Sequence, residues 1–123
     1  MTAATQVLII EDDEWLAELF RTTLEKQEFA VTVARNALEG IAAIGEQLPA
    51  AIILDFFMPG PNAMVLLHEL QSYSDTAKVP VVLCTNSASD ISAPSVEPYG
   101  VKVVLDKTLM EPDDIVAAVR RVV

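Results

Sequence analysis

The chain has 123 residues, a net charge of −10 and one cysteine, and 52% of its residues are hydrophobic. This length predicts one domain over residues 1–123. The negative charge argues against direct nucleic-acid binding, which depends on neutralising phosphates with Lys and Arg, and it suits a basic partner or a cation. One cysteine cannot form an internal disulfide, and the sequence shows neither a membrane-spanning apolar run nor a signal peptide. We therefore expect a cytoplasmic protein without membrane contact.

Five short segments rich in apolar or β-branched residues predict β-strands. In chain order they are Gln6–Ile10, Ala30–Ala34, Ala51–Asp55, Val79–Cys84 and Val101–Leu105. The third is an unbroken apolar run that leads into a carboxylate, which is typical of a strand buried on both faces in a parallel sheet. A Pro-Gly turn ends it, because proline cannot donate to a strand ladder and glycine permits a tight reversal.

Helical patterns occupy the segments between the strands. The first runs from about Glu14 to Gln27, with apolar residues at helical spacing. Asn36 and Asn62 are suited to cap the second and third helices, and Pro112 to open the last one. The fourth helix, within residues 87–99, should be short or irregular, because two prolines interrupt it.

Strict alternation of strands and helices predicts an α/β domain, with a parallel sheet covered by helices on both faces. In such a sheet the carboxyl ends of all strands share one edge, where ligands bind. The polar residues expected at that edge are Asp12, Asp13, Asp55, Thr85 and Lys107.

This set of side chains suits phosphoryl transfer. Clustered carboxylates repel one another unless a cation offsets their charge, and their hard oxygens suit Mg²⁺. A carboxylate such as Asp55 is a competent nucleophile toward phosphorus and forms an aspartyl phosphate. Lys107 could then pair with the phosphoryl oxygens, while the Thr85 hydroxyl donates to another oxygen.

Each of these residues also has a simpler role when taken alone. Asp12 or Asp13 could cap a helix, and Asp55 could cap the turn after its strand. Thr85 could be an ordinary strand residue and Lys107 a solvated charge. Their joint placement on one sheet edge favours the functional interpretation.

The chain resembles the receiver domains of two-component response regulators over nearly its whole length. The resemblance rests on Asp12-Asp13, Asp55 followed by Met58-Pro59-Gly60, the run from Pro80 to Thr85, and Gly100 seven residues before Lys107. It implies a single receiver domain with a flavodoxin-like, doubly wound sheet in the order 2-1-3-4-5. It also implies phosphorylation of Asp55 by a sensor histidine kinase or a phosphotransfer protein.

The resemblance implies roles for the other site residues as well. Asp13, Asp55 and the backbone carbonyl of Phe57 would bind Mg²⁺, with Asp12 acting through water. Thr85 and Lys107 would contact the phosphoryl group. The output would be a changed surface for a downstream protein partner or a homodimer, with self-catalysed phosphotransfer and dephosphorylation as the only chemistry.

Two positions depart from the family pattern near the predicted switch. Val104 stands where an aromatic side chain is usual, so the usual coupling between Thr85 and a swinging ring is in question. Thr108 replaces the proline that normally follows the lysine, so the loop after Lys107 should have a different shape. These departures leave a pseudo-receiver, which signals through phosphorylation-independent protein contacts, as the alternative function.

Two other functions are compatible with the same strand pattern. A haloacid-dehalogenase-type phosphatase needs a second acid two residues after its nucleophile, where this chain has Phe57. A flavodoxin-type electron carrier needs a loop rich in Ser, Thr and Gly after its first strand. This chain has Glu11-Asp12-Asp13-Glu14 there, which would repel a phosphate group.

Overall fold

A five-stranded parallel sheet in the order β2-β1-β3-β4-β5 forms the centre of the computed structural model. The structure describes residues 4–56, 62–86, 88 and 91–123, with the side chain of Ala93 left out. The predicted α/β architecture and strand order are thereby confirmed. In the described part of the chain, no helix is both long and apolar enough to cross a membrane.

The elements follow one another in strict alternation. The strands are β1 (Gln6–Ile10), β2 (Ala30–Ala34), β3 (Ala51–Asp55), β4 (Val81–Thr85) and β5 (Val101–Asp106). The α-helices are α1 (Glu14–Glu25), α2 (Ala37–Glu46), α3 (Ala63–Gln71), α4 (Ala93–Val96) and α5 (Pro112–Val122). Short 3₁₀ helices at Thr76–Lys78 and Glu97–Tyr99 precede β4 and β5.

Each face of the sheet has its own apolar core, because successive strand residues point to opposite sides. On β1, Leu8 and Ile10 pack on the side of α2, α3 and α4. Val7 and Ile9 pack on the other side, with α1 and α5. All five residues of β3 are buried, as its apolar run predicts. A polar side chain at the end of β3 is therefore surrounded by neighbouring strands.

The predicted helix boundaries are largely confirmed. The Asn36 side chain accepts a hydrogen bond from the Glu39 N–H at 2.9 Å, and Asn62 accepts one from the Val65 N–H at 3.1 Å. Pro112 is the first residue of α5. The fourth helix has only 4 residues and continues as a 3₁₀ turn, as its prolines predict.

Two glycines of α2 should respond oppositely to alanine. A Cβ on Gly40 would lie 2.6 Å from Cδ1 of the fully buried Ile10, whereas a Cβ on Gly45 would meet nothing within 4 Å. We expect Gly45→Ala to raise the free energy of unfolding by up to about 1 kcal/mol, because alanine favours helix. Gly40→Ala should lower it by about 1–2 kcal/mol, because overpacking outweighs that gain. Urea unfolding measures both, and equal shifts would contradict the packing.

The buried thiol of Cys84 on β4 should be almost inert in the native protein. Burial raises its pKa to about 12, which lowers the thiolate fraction near pH 8 by about a thousandfold. We expect alkylation to require unfolding, and therefore to accelerate strongly in denaturant. The exposed thiol introduced by Val65→Cys serves as the reference, monitored by intact mass. Equal labelling rates for the two thiols in native protein would contradict the burial of Cys84.

Candidate functional site

Asp55 lies at the carboxyl end of the central strand and is only 5% exposed. It is in register with Cys84 of β4, and the next residue, Phe56, donates its backbone N–H to the Cys84 carbonyl at 3.3 Å. Thr85, fully buried, is one residue further along β4. The order of the strands therefore brings Asp55 and Thr85 to the same edge of the sheet, as predicted.

Lys107 connects the end of β5 to this edge. Its backbone N–H donates to the Thr85 carbonyl at 3.0 Å, so the two chain segments are tied together. Its ammonium Nζ lies 2.6 Å from Glu11 Oε1 and 3.2 Å from Asp55 Oδ1. All three side chains are largely removed from solvent. The lysine therefore bridges two buried carboxylates.

Three acids form the cluster around this lysine. Glu11, Asp12 and Asp55 each offer a carboxylate oxygen, and these three oxygens lie within 4.8 Å of one another. Within the described ranges, they are the one group of acidic, His or Cys side chains close enough to hold a metal ion. Glu11 and Asp55 are buried, whereas Asp12 is exposed. The cluster is therefore open to solvent on the side of Asp12.

Asp13 does not join this cluster, although it was predicted as a metal ligand. Its side chain accepts the Leu16 N–H at 3.1 Å and caps α1, while its own N–H donates to Glu11 Oε2 at 3.2 Å. Glu11 takes the inward place because it continues β1, donating its N–H to the Ala34 carbonyl at 3.0 Å. The acid pair at the site is therefore Glu11 and Asp12, one position earlier than predicted.

The sequence contains a signal that identifies Glu11. An acid directly before a helix is a preferred cap, and α1 begins at Glu14, so Asp13 is the natural capping residue. The acids left for the site are then Glu11 and Asp12. The carbonyl of Phe57, the other predicted metal ligand, lies outside the described residues.

Burial changes the proton affinity of the cluster. It raises the pKa of Glu11 to about 7, although the hydrogen bond from Lys107 and its charge act in the opposite direction. Burial likewise raises the pKa of Asp55, against the opposing charge of Lys107. Burial alone would lower the pKa of Lys107, but its contacts with Glu11 and Asp55 outweigh that effect and raise it. The site therefore has more negative charge than one lysine can compensate.

The donor atoms suit a hard divalent cation. Mg²⁺ and Ca²⁺ bind oxygen ligands, and Mg²⁺ typically takes one or two carboxylates and keeps several waters. The cluster offers three carboxylates, one of which is exposed, so a hydrated ion has room to approach. A cation would also favour the ionised forms of Glu11 and Asp55, which burial disfavours. The residues present therefore fit such a metal.

The loop after Lys107 has its own hydrogen bonds in place of the usual proline. The Asp106 carboxylate accepts the Thr108 N–H at 2.8 Å and the Thr108 hydroxyl at 2.5 Å. These hydrogen bonds lower the pKa of Asp106. The Asp106 carbonyl accepts the N–H groups of Leu109 and Met110 at 3.1 and 3.0 Å. Thr108 therefore fixes the loop by a side-chain contact.

Val104, at the position where the family pattern has an aromatic residue, is half-buried on β5. It packs on the same face of the sheet as Phe56, Ile91 and Tyr99. The Tyr99 ring lies edge-on to His68 of α3, with centroids 4.7 Å apart. One aromatic ring on this face, that of Tyr99, therefore comes from the turn before β5 and contacts a neighbouring helix.

The family model described as the response regulator receiver domain matches residues 7–120. The transcriptional regulatory protein CseB of Streptomyces avermitilis is 32% identical over 91 residues, which cover 74% of this chain and 37% of that protein. The CpxR homolog of Haemophilus influenzae is 34% identical over 87 residues, covering 71% of this chain and 37% of that protein. The chain therefore spans little more than a third of the length of these relatives.

Solved structures show the same fold. The chemotaxis protein CheY4 of Vibrio cholerae matches with a TM-score of 0.87 at 20% identity, covering 98% of this chain and 100% of that chain. The signal receiver domain of a signal transduction histidine kinase from Syntrophus aciditrophicus matches with a TM-score of 0.81 at 25% identity, covering 97% of this chain and 89% of that chain. With the family match over residues 7–120, the chain belongs to the receiver domains of two-component response regulators.

Proposed function

We propose that Asp55 accepts a phosphoryl group in a Mg²⁺-dependent reaction, and that this event changes a protein-binding surface. The observation that carries the proposal is the position of the Asp55 carboxylate, which lies 3.2 Å from the Lys107 ammonium and within 4.8 Å of two other acids. Membership of the family implies a histidine kinase as a partner. The phosphodonor would be that kinase or a phosphotransfer protein.

In the proposed reaction, an Asp55 oxygen attacks the phosphorus of a phosphohistidine. The new O–P bond forms as the P–N bond breaks, and its electron pair stays on the donor imidazole. Mg²⁺, held by Glu11, Asp12 and Asp55, would supply the positive charge that offsets the repulsion between carboxylate and phosphate. Lys107, whose Nζ lies 3.2 Å from Asp55 Oδ1, would pair with the phosphoryl oxygens, and Thr85, at the end of β4, would donate its hydroxyl to another of them. Water reverses the modification by hydrolysis.

A cleft beside the site is suited to the donor protein. It lies between α1 and the loop after β5 and is lined by Leu16, Leu19, Lys107 and Met110. The side chains of Trp15 and Leu109 on these two segments are largely exposed. Exposed apolar side chains next to a reactive group favour a protein contact over a solvated surface. We therefore place the donor at this cleft.

The output surface is proposed to include β5. Lys107 follows β5 directly, and its backbone N–H is hydrogen-bonded to the Thr85 carbonyl. A phosphoryl group that binds both side chains would therefore shift the ends of β4 and β5. Val104 and Tyr99 lie on the face of the sheet that these strands share with α4. A downstream protein or a second copy of the chain would recognise the changed surface.

The direct test is incubation with Mg²⁺ and a small phosphodonor such as phosphoramidate, followed by intact mass. We expect the wild type to gain the mass of one phosphoryl group. Hydroxylamine should remove this group, because acyl phosphates react with nucleophiles. Asp55→Asn should gain none. Glu69→Gln, which removes an exposed acid from α3, is the control and should behave like the wild type. Equal phosphorylation of the Asp55→Asn variant would place the modification elsewhere.

The cluster should also respond to Mg²⁺ in thermal unfolding. At pH 8 without metal, Asp55→Asn should raise Tm by about 4 °C, because burial raises the pKa of Asp55 and so penalises its charged form. The sign follows because a carboxyl group with a raised pKa in the folded state stabilises the fold at low pH. This contribution to stability is lost as the pH rises through the folded-state pKa. Millimolar Mg²⁺ should stabilise the wild type but hardly affect Asp55→Asn. A similar Mg²⁺ response in both proteins would exclude Asp55 as a ligand.

A further inference from the structure

A groove between α2 and α3 lies apart from the acid cluster. Its volume is about 460 Å³, and its apolar lining comes from Ile41, Ile44, Gly45 and Leu48 on one side and from Leu70 and Tyr73 on the other. None of these residues belongs to the proposed phosphorylation site. The groove is therefore a separate feature of the face that α2 and α3 cover.

Exposed apolar side chains occur in the groove and elsewhere on the same two helices. Leu48 is 46% exposed and Tyr73 is 59% exposed. Leu38 and Val65, near the starts of α2 and α3, are also more than half exposed. Leu38, Ile41 and Gly45 recur at helical spacing along one side of α2, and Leu48 follows the end of this helix. Four of the seven large exposed hydrophobic residues in the described part of the chain thus lie on these two helices or next to them.

The charged residues that line the groove are acidic. Glu69 and Asp75 line it, and Glu46 is adjacent to Gly45 on α2. No lysine or arginine is among the lining residues that the structure describes. A second copy of this chain would bring the same acids against each other and would add another net charge of −10. The charge pattern therefore favours a basic partner over self-association.

The side of the groove that is formed by the end of α3 and residues 73–76 is held by internal hydrogen bonds. The Thr76 hydroxyl donates to the carbonyl of Leu70 at 2.5 Å, and the Ala77 N–H donates to the carbonyl of Tyr73 at 2.9 Å. The Asp75 side chain accepts the Thr76 N–H at 2.9 Å. A wall that is already ordered loses little conformational entropy when a ligand binds.

We propose that this groove docks an amphipathic helix of a partner protein, with an apolar stripe facing α2 and α3 and with Lys or Arg residues facing Glu69 and Asp75. A trough between two helices suits a third helix, whose residues at i, i+3, i+4 and i+7 enter the apolar lining. The acidic rim then selects basic helices over acidic ones. This function goes beyond phosphorylation and does not require it.

Gly45 gives the proposal a sharp test, because it lines the groove with no side chain. A Cβ at this position meets nothing within 4 Å, so Gly45→Leu and Gly45→Trp should fold normally while their side chains occupy the groove. Gly45→Ala is the matched control that keeps the groove largely open. Glu69→Gln with Asp75→Asn removes the acidic rim, and the asparagine can still accept the Thr76 N–H.

The probe is a synthetic peptide of about 14 Leu and Lys residues arranged with helical periodicity, which spans about 21 Å as a helix. Amide chemical shifts of the isotope-labelled chain, recorded during titration, give the location and the affinity. We expect shifts confined to α2, the end of α3 and residues 72–76. Gly45→Leu, Gly45→Trp and the rim variant should each weaken binding by about tenfold or more, and Gly45→Ala should bind like the wild type.

Two control peptides decide whether binding reflects the groove. One has the same composition in an order without helical periodicity, and the other carries Glu in place of Lys. Both should bind at least about tenfold more weakly. The proposal is overturned if the Leu/Lys peptide does not bind, if its shifts map elsewhere, or if either control peptide binds equally well. It is also overturned if the larger side chains at Gly45 leave the affinity unchanged while the variants remain folded.

Discussion

The contact between Lys107 and two buried carboxylates is the constraint on which the site depends. One ammonium cannot neutralise Glu11 and Asp55 together, and Asp12 adds a further negative charge at the solvent side. Burial makes this imbalance costly, as the raised pKa values of the two buried acids show. The arrangement persists because three strands of a well-packed sheet hold the charges in place. A cation is the simplest group that would relieve the cost.

The same contact connects chemistry to conformation in the proposed function. A phosphoryl group on Asp55 would bring several anionic oxygens toward Lys107, which now divides its hydrogen bonds between two carboxylates. Lys107 is also bound through its backbone to Thr85, and the next turn is closed by Asp106 and Thr108. A change in the lysine position would therefore act on the ends of β4 and β5. Val104 is too small to swing as an aromatic ring does, so the movement of backbone and loop would carry the signal.

The sequence was sufficient to predict the alternating strands and helices, because apolar runs, caps and prolines act locally, whereas the strand order was implied by the family resemblance. Asn36 and Asn62 cap their helices as predicted, and Asp55, Thr85 and Lys107 reach one sheet edge because parallel strands require it. The bounds of β1 were predicted correctly, but the acid pair was placed one residue too late, because four successive acids follow the strand and any two of them could face the site. Glu11 is held inward by the hydrogen bond from its N–H to the Ala34 carbonyl, which joins residues 23 positions apart and cannot be read from the local sequence. Likewise, β4 begins at Val81 because a 3₁₀ turn, absent from the prediction, precedes it.

The two glycines of α2 show how a binding surface differs from a packing constraint. Glycine in a helix costs about 1 kcal/mol relative to alanine. At Gly40 this cost is offset, because any side chain would collide with the buried Ile10. At Gly45 no contact within the described chain offsets this cost. A Cβ there would meet no atom within 4 Å, and Gly45 lines the apolar groove. A local cost that folding does not require is characteristic of functional sites. The absence of a side chain at Gly45 is therefore better explained by a partner helix that enters the groove than by the stability of the domain itself.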